Sequence, residues 1–533
     1  MLDVVVVGAG FSGLYLLHKL RGMGLSVRVF EAGDGVGGTW YWNRYPGARV
    51  DIESQEYSYS FDEGLQDDWV WTERYSAQPE LLRYLNHVAD RFDLRRDISL
   101  ETRVVSAFFD EDRATWTVTT DKGETVEARY CIMATGCLSA PNEPRFAGME
   151  RFKGESYHTG RWPHEPVNFA GKRVGVIGTG SSAIQSITEI AKTVGHLTVF
   201  QRTPNYSVPA HNGPIDPAKV QHWKDNRAAL RQEARMSGAG IVAVEPTEAL
   251  ATETAPEERR KVYEARWGRG GFAIGGAFVD QAIDPRANAF VAEFVAEKIR
   301  GVVKDPATAE KLIPSGYPFG TKRLCVDTGY YEVFNQPNVE LVDISSDAIE
   351  TITPEGLRLT SGAEYGFDIL VYAIGFDAMT GALGKIDIRG KDGQALKDKW
   401  EHGPRTYLGL MVAGFPNLFM VTGPGSPSVL SNMVVSIEQH VDWIAACIAH
   451  LNGRQLNRIE ATTEAEDAWV AHVNEVADTT LYPQANSWYL GANVPGKPRV
   501  FMPYVGGVGL YREYCDDVVA NDYRGFALSN TAG

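Results

Sequence analysis

Residues 3–32 read DVVVVGAGFSGLYLLHKLRGMGLSVRVFEA, and residues 172–202 read KRVGVIGTGSSAIQSITEIAKTVGHLTVFQR. Each stretch opens with β-branched residues, turns through glycines, and continues with apolar residues at helical spacing before a second β-branched run. That is the pattern of a βαβ unit, so an α/β fold with two Rossmann-like dinucleotide-binding domains is expected. In the first unit Gly8-x-Gly10-x-x-Gly13 lies where strand gives way to helix. Gly8 makes the turn, Gly10 admits a pyrophosphate to the backbone, and Gly13 lets helix and strand pack closely. Glu31 follows Gly13 by 18 residues, at the end of the second strand, where a carboxylate accepts hydrogen bonds from a ribose hydroxyl. The second unit carries Gly178-x-Gly180-x-x-Ala183, and the position equivalent to Glu31 is Arg202, followed by Thr203. A carboxylate there would repel a 2′-phosphate, whereas a guanidinium forks onto it. Opposite chemistry at equivalent positions implies FAD in the first unit and NADPH, rather than NADH, in the second.

The rest of the chain is arranged around these units. WTVTTDKGETVEARYCIMATG (116–136) alternates like antiparallel strands around Lys122-Gly123 and ends in a buried strand at Cys131 to Ala134. Residues 211–320 turn charged and Ala-rich with helical spacing, as in PEERRKVYEARWGRG, and read as a helical subdomain inserted in the NADP domain. DILVYAIG (368–375) mirrors CIMATG as a late strand. The expected layout is an FAD-binding first part at 1–138, an NADP-binding domain at 139–375 including the helical insert, and an FAD-binding second part at 376–533. The last part closes with helices and the loop ANSWYLGANVPGKPR (485–499).

Composition narrows the partners. With 533 residues, 44% hydrophobic and 23% charged, the chain is ordinary globular protein and not disordered or fibrous. Its net charge of −16 repels a phosphate backbone and offers no basic tract to anionic lipid, so neither nucleic acid nor membrane is an expected partner. The five cysteines, Cys131, Cys137, Cys325, Cys447 and Cys515, are odd in number, scattered and free of any Cys-x-x-Cys pair. A reduced, cytoplasmic protein without a metal site is expected, as a monomer or weak oligomer. No basic-then-apolar leader precedes the first strand, and no run of about 18 apolar residues is present.

Between the two units lies Phe152-x-Gly154-x-x-x-His158-x-x-x-Trp162-Pro163. By composition this is a linker of packed aromatics and a core histidine. It resembles, however, the fingerprint FxGxxxHxxxWP or WD of type I Baeyer–Villiger monooxygenases. Gly37-Gly38-x-Trp40, Tyr45-Pro46-Gly47, Asp51, and the tripeptides Ala134-Thr135-Gly136 and Ala373-Ile374-Gly375 fit the same family. YPFGTKR, GPRTYLGL, GPGSPSVLSNM and SWYLGANVPGKPRVFMPYVGG look most like the phenylacetone, steroid and cyclohexanone enzymes. The resemblance covers essentially the whole chain. It implies an FAD- and NADPH-dependent enzyme that inserts one atom of O₂ beside a ketone carbonyl, giving an ester or lactone from cyclic, aryl or steroid ketones.

Position by position, the resemblance makes Arg323 the catalytic arginine, Asp51 the carboxylate paired with it near the flavin, and Lys322 a second 2′-phosphate ligand. The chemistry needs a fixed cation where negative charge develops on oxygen, and a guanidinium supplies it without losing its proton. FAD is expected along Phe11, Ser12, Gly38, Thr39, Trp40, Ile52, Tyr57, Val104, Thr135, Gly136 and Met433. NADP is expected along Thr179, Ser181, Ser182, Gln185 and Trp488. Two departures stand out: Cys137 occupies a place where relatives carry Gln or Leu, and Val429 follows the phenylacetone and steroid loops. A flavin-containing N- or S-monooxygenase resembles this chain except that Tyr or Phe follows its fingerprint, so Trp162-Pro163 argues against it. A disulfide reductase lacks its redox cysteine pair here. A non-catalytic NADP-binding flavoprotein explains the glycine loops but not Asp51, Lys322 and Arg323.

Overall fold

The structure, a computed structural model, describes residues 1–245 and 247–530. Leu2–Val7 lies inside an eight-stranded sheet because Val4, Val5 and Val6 are apolar toward both faces, and all three are fully buried. It pairs in parallel with Val27–Phe30 on one side and Thr125–Met133 on the other. The latter strand belongs to two patterns. Its first residues complete an antiparallel meander with Val104–Asp110 and Thr115–Thr120, while its buried end runs parallel to Leu2–Val7 and to Leu418–Met420. The buried strand expected at 131–134 is the end of this longer strand, which stops at Met133. The alternating exposure of a hairpin gives way, within one strand, to the continuous burial of a parallel sheet. Asp387–Arg389 extends the meander by pairing with Val104–Asp110, so the C-terminal part of the chain returns to the first sheet twice.

The second sheet is all parallel, in the order Val339–Asp343, His196–Gln201, Arg173–Ile177, Ile369–Tyr372, Glu155–His158. DILVYAIG contributes only Ile369–Tyr372; the residues beyond it form the turn. In both sheets the strand entering the glycine turn lies beside one ending in Ala-x-Gly. Val7 pairs with Met133, and Ile177 with Tyr372.

Residues 211–320 form the helices Pro217–Met236, Pro256–Arg269, Pro285–Val302 and Pro306–Leu312, the first, third and fourth capped by Asp216, Asp284 and Asp305. Two three-residue strands, Ser207–Pro209 and Cys325–Asp327, pair in parallel and tie the two ends of this region together. They are too short to leave a periodic signal.

The two sheets meet through Tyr45-Pro46-Gly47. Gly47 has φ 79°, and a Cβ there would lie 2.5 Å from the carbonyl oxygen of Gln185. Tyr45 donates its hydroxyl proton to Gln185 Oε1 (2.9 Å), and Gln185 Nε2 donates to the Arg49 carbonyl (3.1 Å). No helix among the described residues is long and apolar enough to cross a membrane.

Candidate active site between two nucleotide cradles

The glycine turns have the steric form expected of them. Gly8 (φ 107°) and Gly178 (φ 119°) would place a Cβ 2.5 Å from the Ala134 oxygen and 2.3 Å from the Ala373 oxygen. In each turn the backbone just beyond the neighbouring strand comes so close that only glycine fits. At Gly13 a Cβ would lie 1.8 Å from the Gly8 oxygen, so helix and strand touch there. The helices that follow, Phe11–Gly22 and Ser181–Ile190, are capped by Gly10 and Gly180 with no side chain accepting from their first N–H groups. Those donors and the positive helix end are left for an anion, unlike the helices of the insert that aspartates cap. Gly38 closes over the first turn, its Cβ position 2.9 Å from Gly10 Cα.

Around the first cradle, Glu31 accepts from the backbone N–H of Ala9 and of Gly33, each at 2.8 Å. Burial pushes its carboxyl pKa up while these donors oppose the shift. Phe11, Ser12, Trp40, Ile52 and Val104 are buried. Trp40 donates its indole proton to Tyr57 (3.4 Å), whose ring meets Phe11 edge-on at 5.3 Å. Thr39 is exposed, and Thr135 and Gly136 form the half-buried turn after Met133. Met433 begins a 21-residue helix and packs against two apolar clusters.

In the second cradle Arg202 stands directly after His196–Gln201, as Glu31 does after Val27–Phe30. Lys322 lies with its ammonium 4.5 Å from the centre of the Tyr317 ring. Burial lowers the Lys322 pKa, and the charge of Arg202 lowers it further. Two cations thus lie close enough to influence one another, and neither has a carboxylate in ion-pair range among the described residues. That is the charge arrangement a phosphate would complete. The neighbouring side chains are already engaged. Thr179 donates to the Thr203 carbonyl (2.7 Å), Ser181 meets Cys325 Sγ (3.3 Å), and Ser182 meets Thr159 (3.3 Å). Gln185, expected along NADP, has both ends of its amide hydrogen-bonded, to Tyr45 and Arg49, and links the two sheets.

Arg323 joins the two halves. Its Nη2 and Nε donate to Asp51 Oδ2 at 2.8 and 3.2 Å, and its Nη1 donates to the Val429 carbonyl at 2.9 Å. Burial, the largest single influence, lowers its pKa, but Asp51 together with Tyr489 and Cys325 raises it, and the net result lies above the ordinary arginine range. Beside it lies an apolar cluster that includes Cys137, Met379, Val429, Tyr489 and Phe501, with Leu430, Met433 and Trp488 at its margin. Burial pushes the Cys137 thiol up to about 11, so it stays protonated at neutral pH. Trp488 packs on Tyr489 (4.3 Å between rings) in the short helical turn Trp488–Leu490, within the region expected to be a loop. Val429 as a carbonyl ligand, Phe272 near the Arg323 guanidinium, and Tyr45 against Gln185 were not singled out from sequence. Only the Tyr-Pro-Gly motif carried a signal.

The linker motif is structural in form. His158 ends Glu155–His158, and its Nδ1 accepts from the Gly160 N–H (3.0 Å). Burial lowers its pKa, opposed by a hydrogen bond with the Asn142 backbone. Trp162 is buried against Tyr157 and Phe169. Phe152 packs on a separate apolar cluster, and a Cβ at Gly154 would lie 2.5 Å from the Asp368 oxygen.

Two glycine turns that open uncapped helices on two parallel sheets, with a guanidinium paired to a carboxylate between those parts of the chain, are the arrangement of a flavoprotein that takes electrons from a reduced pyridine nucleotide. Residues 5–238 match the family described as pyridine nucleotide-disulphide oxidoreductase. Its name notwithstanding, all five cysteines are free and buried. The acetone monooxygenase (methyl acetate-forming) of Gordonia sp. (strain TY-5) is 46% identical over 99% of both chains. A Baeyer–Villiger monooxygenase of Pseudooceanicola batsensis is 45% identical over 99% of this chain and 97% of its own. A solved structure of oxidized steroid monooxygenase bound to NADP is 53% identical, covers 99% of both chains and superposes with a TM-score of 0.95. The chain belongs to the Baeyer–Villiger monooxygenases, flavin enzymes dependent on FAD and NADPH.

Proposed function

We propose that the site around Arg323 and Asp51 converts a small neutral ketone and O₂ to an ester or lactone. The observation that carries this is the Arg323–Asp51 ion pair, fixed by the Val429 carbonyl at the edge of an apolar cluster. FAD reduced by NADPH supplies the activated oxygen when bound. Gly8, Gly10 and Gly13 with Glu31 hold the flavin nucleotide, while Gly178 and Gly180 hold the pyrophosphate of NADP and Arg202 and Lys322 its 2′-phosphate. Arg323 stays protonated and sets a positive charge where the ketone oxygen becomes negative. Asp51 and Val429 hold that charge in one place. The apolar cluster keeps water from the reacting carbonyl and admits an uncharged substrate.

Sheet pairing supports assigning 1–138 and 376–533 to the FAD domain and 139–375 to the NADP domain. The five free thiols support a cytoplasmic location, and we expect a monomer or weak oligomer. A panel of acetone, cyclic, aryl and steroid ketones, with products identified by mass spectrometry, tests the reading. A heteroaromatic amine and a thioether are included in the same panel. Ester formation in step with NADPH oxidation supports it; oxygenation of nitrogen or sulfur alone, or NADPH oxidation with no oxygenated product, refutes it.

A further inference from the structure

Arg323 is held by hydrogen bonds to Asp51 and Val429, and its guanidinium carbon also lies over an aromatic ring of the helical insert. The guanidinium carbon lies 4.9 Å from the centre of the Phe272 ring. Phe272 is partly buried and packs against the apolar clusters of both sheets. It sits in the short helical segment Gly271–Gly276, reached from Pro256–Arg269 through Gly270 (φ 78°) and Gly271 (φ 58°). This turn is tightly seated: a Cβ on Gly271 would lie 2.2 Å from the Tyr75 hydroxyl, and one on Gly270 would lie 2.6 Å from the Pro209 oxygen.

The segment that seats the turn also sets Asp51. Arg74, paired with Glu53 (2.7 Å), donates Nη1 to the Arg269 carbonyl (2.8 Å) just before the turn. Ser54 N–H donates to the Arg74 carbonyl (2.8 Å), and Val50 N–H donates to the Ser76 carbonyl (3.1 Å), bracketing Asp51. Residues 74–76 therefore hold both the segment that carries the carboxylate paired with Arg323 and the turn that brings a ring within 4.9 Å of its guanidinium carbon.

We propose that Phe272 is a positioning residue for oxygenation, through which the helical insert holds the Arg323 guanidinium by a cation–π contact. This rests on the reading of Arg323 as the catalytic cation. Asp51 and the Val429 carbonyl fix the N–H groups of the guanidinium, and the ring adds a further contact that holds the cation in place. A half-buried contact of this kind corresponds to about a 3- to 30-fold effect.

The test uses the full-length holoenzyme with Phe272→Leu and Phe272→Met, which keep apolar bulk without a π face, and Phe272→Tyr, which keeps the face. The readouts are anaerobic flavin reduction by NADPH, kcat and KM for ester formation, ester formed per NADPH, and melting temperature. The expected result is an ester kcat lowered about 3- to 30-fold in Leu and Met. KM, flavin reduction and melting temperature stay near wild type, and Tyr restores kcat. Wild-type ester kcat in Leu and Met, a deficit carried by KM alone, or no recovery with Tyr each overturns the proposal. Arg323→Ala run alongside separates the two levels. If it forms ester at the wild-type rate, the reading of Arg323 itself fails; if it is inactive while Phe272→Leu is normal, only the role of Phe272 falls.

Discussion

Replacing Arg202 by alanine removes the cation that the second βαβ unit presents where the first presents Glu31. Among the described residues Arg202 has no carboxylate in ion-pair range, so its loss is expected to be felt by the coenzyme phosphate rather than by an internal ion pair. A hydrogen bond to a charged group contributes about 1.5–3 kcal/mol, or roughly one to two decades in affinity. Arg202 is exposed, which places it at the lower end of that range through solvent screening. Lys322 is half-buried over Tyr317 and belongs at the upper end. Steady-state kcat/KM for NADPH should therefore fall about tenfold in Arg202→Ala and up to a hundredfold in Lys322→Ala. NADH, which lacks the 2′-phosphate, should be used almost as before in both. The double variant should lose less than the product of the two, because both cations act on one group. An unchanged ratio of NADPH to NADH efficiency in both single variants would refute the assignment. The same pair has a pH signature. Burial and Arg202 lower the Lys322 pKa, so its charge is lost at lower pH than that of an exposed lysine. NADPH affinity should weaken on the alkaline side earlier in wild type than in Lys322→Arg.

Arg323→Ala should still bind FAD and oxidise NADPH yet lose ester formation by about 10²–10³-fold, measured by product chromatography. Gly8→Ala puts a side chain 2.5 Å from the Ala134 oxygen at φ 107°; it should purify without bound flavin, read by visible absorption. Trp488→Ala and His158→Ala should release hydrogen peroxide in place of ester while NADPH oxidation continues; normal coupling in both returns these side chains to simple packing. Burial raises the Glu56 carboxyl to about 7. The native state then holds a proton that the unfolded chain loses near 4.5, so stability falls as pH rises through that window. Glu56→Gln should flatten this slope, with a gain of up to about 3 kcal/mol above pH 7 in denaturant titrations.

The two glycine turns, the opposite residues Glu31 and Arg202 after their second strands, and the helical insert were legible in the sequence alone. Each reflects a local demand of the backbone: a positive φ, a close approach, a helical period or the charge at a strand end. Short pieces were not legible. Ser207–Pro209 and Cys325–Asp327 form a strand only because the insert brings them side by side. A motif match pointed to Asp51 and Arg323 together, but nothing in the chain between them encodes a 2.8 Å contact across 272 positions. The resemblance placed Gln185 along NADP, but no local pattern announced that its amide bonds Tyr45 and Arg49 where Gly47 meets its helix. The helical pattern around Phe272 gave no hint of its ring against Arg323, since residues 74–76 set that geometry from another part of the chain. Sequence patterns record what each residue asks of its neighbours along the backbone. Which distant residues meet is settled by the packing of both sheets and the insert together, and that exists only once the chain has folded.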